Sequence, residues 1–172
     1  LATGAFINHA APFGANTILC ILRESPGSDV YWVGTWGSGV FRYERSTRKI
    51  KNVLNNKLGG TILCLAMNGD DLYAGSVGDG LFKINTKTLE TTVFGVKDGL
   101  PSANINSIFV DRDKNVWLGT YDGGLVKMKG FERNGKLPIE KVFSSKGKKG
   151  QIASNIVLGI NQDKRGSIWA AT

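Results

Sequence analysis

The stretch "NVWLGTYDGGLVKMK" at residues 115–129 decides the fold. An apolar run with an aromatic residue ends in Gly-Thr, and two glycines then lead into a second apolar run. Similar phrases occur elsewhere in the chain, as "YWVGTWGSGVFRY" from Tyr31, "LYAGSVGDGLFKI" from Leu72 and "SIWAAT" ending at Thr172. A phrase that recurs along one chain indicates a repeated structural unit.

The repeat period and the apolar pattern together predict β-sheet units. Gly34, Gly75 and Gly119 each end an apolar run, at intervals of about 40–50 residues, a period typical of propeller blades. The apolar residues alternate or form short blocks, as in strands, and lack the spacing of three and four that helices show. We therefore expect four antiparallel strands per unit and a helix content close to nil.

These observations predict an all-β fold, a β-propeller of about four blades, with residues 1–172 as a single propeller domain or segment. The blades are expected at about residues 16–59, 60–103 and 104–154. A composite blade would join residues 155–172 to residues 1–15, because "GAFINH" at 4–9 matches the third strand of the other units. Three arrangements stay open: a ring closed by one chain, a ring of about eight blades from a homodimer, or part of a larger propeller.

Each residue of the recurring phrase has an expected packing role. Gly119 allows close packing, Thr120 hydrogen-bonds within the turn, and Gly123 and Gly124 supply the positive φ of a tight hairpin. One aromatic per unit is expected to fill the space between neighbouring blades. These aromatics are Trp32, Tyr73, Trp117 and Trp169.

The composition indicates a globular chain with an ample core. Of the 172 residues, 41% are apolar and 21% charged, and no apolar run reaches the roughly 18 residues of a membrane span. The net charge is +8, but the basic residues are not interleaved with aromatic residues, so nucleic acid is not an expected partner. Cys20 and Cys64 hold matching places in two repeats and are expected to be free, buried thiols.

Residues 99–127, "GLPSANINSIFVDRDKNVWLGTYDGGLVK", closely resemble the two-component regulator propeller repeat. In that family a Gly-Leu-Pro turn precedes an Ile-rich strand, an Asp-and-Gly turn and Trp-x-Gly-Thr. Residues 155–172 fit as well, although Ala171 replaces the glycine. The resemblance implies the periplasmic sensor region of a hybrid two-component histidine kinase of the Bacteroidetes kind, which senses glycans. Kinase activity and membrane attachment would then lie in other parts of the parent protein.

Catalytic and metal chemistry find little support in the sequence. His9 is the only histidine, which disfavours a Ser-His-Asp site, and the Cys and His clusters of zinc sites are absent. Asp111, Asp113 and Asn115 have the alternate spacing of a calcium loop, but Val116 stands where its glycine belongs. An Asp-stabilised hairpin is the preferred interpretation, and no cofactor is expected.

The loops at one end of the blades hold the candidate ligand residues. Exposed aromatics can stack on sugar rings, while amides, carboxylates and lysine bind hydroxyls or acidic groups. The candidates are Trp36, Ser38, Asp79, Asn104, Tyr121, Asp122 and Lys148. We predict a non-catalytic, periplasmic sensor segment that binds an oligosaccharide, acidic forms included, or relays its binding. The alternatives are a protein-interaction scaffold and, with less support, a polysaccharide-degrading enzyme.

Overall fold

A computed structural model describes residues 17–54, 60–129, 136–146 and 151–172. Within these ranges the chain forms three four-stranded antiparallel sheets and a two-stranded hairpin. The first sheet comprises β1 (Ile18–Arg23), β2 (Val30–Thr35), β3 (Val40–Glu44) and β4 (Lys49–Asn52). The second comprises β5 (Ile62–Asn68), β6 (Asp71–Ser76), β7 (Leu81–Asn85) and β8 (Thr91–Phe94). The third comprises β9 (Ile105–Val110), β10 (Val116–Thr120), β11 (Leu125–Met128) and β12 (Ile139–Phe143). The last hairpin pairs β13 (Gly159–Gln162) with β14 (Ile168–Ala171).

Each sheet is a meander in which consecutive strands pair, so the predicted all-β fold of four-stranded units is confirmed. In the described ranges the only helical element is a single 3₁₀ turn at Val96–Asp98, before the third sheet. The three full sheets lie inside the ranges 16–59, 60–103 and 104–154. The strand expected from residues 1–15 lies outside the described residues.

The apolar core lies between successive sheets, where the aromatic of β2, β6 or β10 faces the sheet that follows. Trp32 is fully buried against Ile62, Leu72 and Phe82 of the second sheet, while Tyr73 packs in the same way against the third. Trp117 is buried next to Val157 before the last hairpin. The expected aromatic side chain is therefore present at three interfaces between successive units.

Trp169 differs from the other three aromatics. Its side chain is 64% exposed, so the prediction that every unit's aromatic is buried between blades is wrong for this residue. The physical reason is that the described residues contain no sheet on the side of β14 that faces away from the third sheet. Without such a sheet the indole packs on one side only.

The glycine before each hydroxyl residue is required by close packing. A Cβ on Gly119 would lie 2.2 Å from Ser107 Oγ and 2.8 Å from Val157 Cγ1. The hydroxyl of Thr120 donates to Gly124 O at 2.8 Å and accepts from Gly123 N at 2.9 Å, which confirms the expected hydrogen bond in the turn. Ser76 and Thr35 donate to Gly80 O and Gly39 O in the same way.

The two glycines of the phrase have different roles. Gly124 has φ of +85°, as the tight hairpin requires. The prediction of positive φ is wrong for Gly123, because its backbone is not in the left-handed region. Glycine is required at 123 for a steric reason: a Cβ there would lie 2.8–2.9 Å from three atoms of Pro101 in the preceding connection.

Asp111 organises the β9–β10 turn. Its carboxylate accepts hydrogen bonds from the backbone N–H groups of Asp113 and Asn115, from Asn115 Nδ2, and from Trp117 Nε1 at 2.8 Å. A calcium loop would use side-chain oxygens as ligands, whereas here Asn115 donates a hydrogen bond from Nδ2 to the Asp111 carboxylate. The expected Asp-stabilised hairpin is therefore confirmed. Asp163 repeats the device with Trp169 Nε1 at 3.0 Å.

Both cysteines are free thiols, as expected, but the expected full burial is wrong, because each residue is only half-buried on the first strand of its sheet. Each thiol points at a backbone carbonyl of the next sheet: Cys20 Sγ lies 3.8 Å from Ile62 O, and Cys64 Sγ lies 3.7 Å from Ile105 O. Burial raises the pKa of the Cys20 thiol to about 11, and burial raises the pKa of Cys64 as well.

We therefore expect both thiols to be unreactive in the folded protein. Alkylation by iodoacetamide at about pH 8 should be about 100-fold slower than in urea-unfolded protein, because little thiolate is present. Mass spectrometry of the alkylated chain measures this rate. Rapid labelling of Cys20 without urea would contradict the raised pKa.

Candidate functional site

The loops between the second and third strands of each sheet share one hydrogen-bonded construction. At the loop start, Trp36 N donates to Thr17 O, Val77 N to Thr61 O and Tyr121 N to Asn104 O. At the loop end, Gly80 N donates to Ala103 O and Gly124 N to Asn155 O, which ties each loop to the connection that leads to the next sheet. These bonds fix the positions of the side chains that the loops present.

A depression of about 320 Å³ lies on this end of the molecule, between the second and third sheets. Leu63 and Val77 line it from the second sheet, and Asn104, Asn106 and Tyr121 line it from the third. Val77 and Tyr121 are 48% and 56% exposed. The site therefore joins an exposed aromatic ring and an aliphatic wall to two carboxamides, and none of its five side chains is charged.

The two asparagines of the depression differ in their hydrogen bonds. Asn104 Oδ1 accepts from Gly78 N at 2.9 Å, which fixes the orientation of its amide. Asn106 Nδ2 is buried and has no hydrogen-bond partner within the described part of the chain. A buried amide donor without an acceptor costs about 1–3 kcal/mol. Because this nitrogen is closed to solvent, a ligand in the depression reaches it only after the Asn106 side chain rotates.

This geometry places hydrogen-bonding amides beside the apolar face of an aromatic ring. Amide groups can donate to and accept from hydroxyl groups, and the Tyr121 ring offers an apolar face for stacking. Among the described residues, no group of three or more His, Cys, Asp or Glu side chains is placed to hold a metal ion.

The structure brings together two of the predicted ligand residues, Asn104 and Tyr121, because their backbones are hydrogen-bonded at 3.1 Å. Trp36 holds the matching loop position in the first sheet, where it is 62% exposed and does not line the depression. Ser38, Asp79 and Asp122 lie in the loops but not among its lining residues. Lys148 lies outside the described residues.

The sequence interpretation missed Leu63, Val77 and Asn106. Val77 follows Ser76 as Tyr121 follows Thr120, so alignment of the repeats could have found it. Asn106 is a polar residue within the apolar strand "INSIFV", which is a usable signal. Leu63 carries no signal that separates it from core leucines.

A second groove, of about 490 Å³, lies at the opposite end between the first and second sheets. Glu24 and Arg42 line it from the first sheet, and Asp70 and Lys87 from the second. Asp70 and Lys87 form an ion pair with 2.5 Å between Oδ2 and Nζ. Its charges are balanced and the pair is exposed, so this groove offers weaker recognition than the depression.

Comparison with known proteins supports the repeat identification. Residues 99–122 match the family described as two component regulator propeller, which confirms the resemblance for this repeat. Histidine kinase P4 of Formosa agariphila is 25% identical over 128 residues, which are 67% of this chain and 9% of that protein. The chain thus corresponds to a small fraction of this relative's length.

Solved structures show the same fold. The extracellular domain of BT3049, a proposed hybrid two component system of B. thetaiotaomicron, superposes with a TM-score of 0.57 at 18% identity. The match covers 90% of this chain and 25% of that one. The WD40 β-propeller domain of Doa1 gives a TM-score of 0.67 at 11% identity, covering 90% of this chain and 47% of that one. At these identities the likeness establishes a propeller fold. The described residues contain no helix long and apolar enough to cross a membrane.

Proposed function

We propose that this chain, which contains a two-component regulator propeller repeat, is a ligand-sensing propeller segment of a two-component signalling protein outside the cytoplasmic membrane. The family match at residues 99–122 and the extracellular domain of BT3049 support this setting. The segment itself is proposed to be non-catalytic and periplasmic, with any kinase activity in other parts of the parent protein.

The proposed ligand is an oligosaccharide bound in the depression between the second and third sheets. The observation that carries this proposal is the exposed Tyr121 ring beside the carboxamides of Asn104 and Asn106 in one depression. Since no lining side chain is charged, a neutral sugar fits the described residues best.

Calorimetric titration of a library of neutral and uronic-acid-containing oligosaccharides tests the proposal. We expect saturable binding of neutral members, with Tyr121→Ala and Asn106→Ala each weakening binding at least about tenfold through lost stacking and a lost hydrogen bond. Trp36→Ala is the matched control, because it removes a similarly exposed aromatic from the corresponding loop of the first sheet. If binding survives Tyr121→Ala but is lost in Trp36→Ala, the ligand binds at the first sheet and the proposed site is wrong.

A scaffold function is the second candidate, favoured by exposed apolar residues on the first sheet and on the last hairpin. Ile21 of β1 is 61% exposed and Trp169 of β14 is 64% exposed. If calorimetry shows no heat of saccharide binding and light scattering shows a molecular mass that rises with protein concentration, assembly is favoured. Release of reducing sugar would instead favour a degrading enzyme.

A further inference from the structure

The groove between the first and second sheets contains an arginine without an anionic partner. Arg42 of β3 is half-buried and lines this groove, whose volume is about 490 Å³. Among the described residues, no hydrogen bond or ion pair joins the Arg42 guanidinium to another group. A guanidinium binds a carboxylate through parallel, charge-assisted hydrogen bonds. Arg42 is therefore available to a carboxylate that enters the groove.

In the other two full sheets, the cation at this register position is neutralised. Lys83 and Lys127 hold the position of Arg42, because each lies opposite the aromatic of the second strand of its sheet. Lys83 Nζ lies 3.3 Å from Asp71 Oδ2, and Lys127 Nζ lies 2.8 Å from Glu140 Oε2. The first sheet departs from this pattern.

The departure has a cause in the sequence. Val30 of β2 holds the register position that Asp71 has in β6, and Ile50 of β4 holds the place of Glu140 in β12. Neither aliphatic side chain can accept a hydrogen bond from Arg42. The first sheet thus keeps the cation of the repeat but lacks both of the carboxylates that pair with it elsewhere.

A carboxylate with unused acceptor capacity lies on the same wall of the groove. Glu24, at the end of β1, lines the groove together with Arg42, yet no ion pair joins the two side chains within the described ranges. The Glu24 carboxylate accepts a hydrogen bond from Ser28 Oγ at 3.3 Å. Since a carboxylate has about four lone-pair sites, most of its capacity is unused. This wall therefore presents two opposite charges that do not neutralise each other.

The opposite wall adds no net charge. Asp70 and Lys87 line it and are paired with each other, with 2.5 Å between Oδ2 and Nζ. The groove thus holds two carboxylates and two cations in all. A simple anion would meet the two carboxylates, and a simple cation would meet Arg42 and Lys87. A neutral ligand that carries both charges matches this arrangement best.

We propose that this groove binds a small zwitterion, with the carboxylate of the ligand on Arg42 and its ammonium group on Glu24. This is the chemistry of amino acids and short peptides. The ammonium group donates to the unused lone pairs of Glu24, while the guanidinium donates to the ligand carboxylate. The volume lies within the range of small-molecule sites. The inference is independent of the oligosaccharide site, which lies between the second and third sheets.

Nuclear magnetic resonance titration of the isotope-labelled chain with alanylalanine tests this proposal. We expect saturable shifts of the Arg42 side-chain and Gly69 backbone signals, because both residues line the groove. N-acetyl-alanylalanine lacks the ammonium group and alanylalanine amide lacks the carboxylate, so each is expected to bind at least about tenfold more weakly. Arg42→Gln is expected to weaken the binding of alanylalanine by a similar factor. Lys97→Gln is the matched control, because it removes an exposed cation that does not line the groove.

The Glu24→Gln chain supplies an independent measurement. It is expected to bind alanylalanine and the N-acetyl form equally, because the carboxylate that distinguishes the two ligands is gone. Circular dichroism checks that each variant is folded. If Arg42→Gln binds alanylalanine as tightly as Lys97→Gln does, or if the Arg42 signals show no saturable shift, the proposal is wrong. Loss of alanylalanine binding in Tyr121→Ala would equally overturn it, because the dipeptide would then occupy the depression.

Discussion

Gly75→Ala is expected to lower the free energy of unfolding by about 2–3 kcal/mol. The added Cβ would lie 2.5 Å from Cys64 Sγ, 2.7 Å from Ile105 Cγ2 and 2.9 Å from Ile105 Cβ. Ile105 is fully buried between the second and third sheets and is stiff at its branched carbon. The sheets must therefore separate, with loss of packing along the seam. Urea unfolding monitored by circular dichroism measures the change.

Gly95→Ala is the matched control for this substitution. A Cβ on Gly95 would meet no atom within 4 Å, and its φ of −115° is ordinary for alanine. We expect a change within about 0.5 kcal/mol. The double variant Cys64→Ala with Gly75→Ala should recover part of the loss, since one of the two contacts is relieved. A Gly75→Ala protein as stable as the Gly95→Ala protein would show that the close approach of Ile105 and Cys64 to Gly75 does not require a glycine there.

Asp111→Ala is expected to cost about 3 kcal/mol or more. The carboxylate is buried and accepts four hydrogen bonds, and its removal leaves the donors of Asn115 and Trp117 without acceptors in the interior. Asp113→Ala is the matched control in the same turn, because the Asp113 side chain is exposed. Its stability should change by no more than about 0.5 kcal/mol.

The same carboxylate is expected to make stability depend on acid. Burial alone would raise the pKa of Asp111, but the Trp117 indole, the Asn115 amide and two backbone N–H groups together hold that pKa below its ordinary value. A lowered pKa in the folded state means that the contribution is present above the unfolded value of about 3.9 and is lost as pH falls through the folded value.

Urea unfolding between neutral pH and about pH 2 measures this dependence. The unmodified protein should lose stability below about pH 4, and Asp111→Ala should show a shallower decline because one contributor is missing. Equal slopes for the two proteins would show that Asp111 does not carry the acid sensitivity.

Local chemistry was sufficient to predict much of the fold. The alternation of apolar residues around Trp117 predicted the strand Val116–Thr120, and the hydroxyl of Thr120 predicted a hydrogen bond in the turn that follows. Trp32 shows where this reasoning stops. The β1–β2 turn before Trp32 is longer than the β9–β10 turn, and Glu24 holds the position that Asp111 has in the third sheet. Trp32 Nε1 has no hydrogen-bond partner among the described residues.

The candidate site was predictable only in part, because it depends on how closely two sheets approach. Tyr121 and Asn104 carry polar or aromatic signals in loops, and both were found. Leu63 and Val77 become wall residues only through the spacing of the second and third sheets, which no local pattern encodes. The exposure of Trp169 was missed for a similar reason, since it depends on what lies beyond β14.

The contact between Pro101 and Gly123 links two segments that are far apart in the repeat. At the position of Gly123, the first two units carry Ser38 and Asp79, and neither of these units is preceded by Gly-Leu-Pro. Connection and loop are therefore expected to covary across homologous repeats. A chimera that transplants the Gly-Leu-Pro connection must carry its own loop with it, so the exchangeable cassette spans residues 99–124 rather than a single strand.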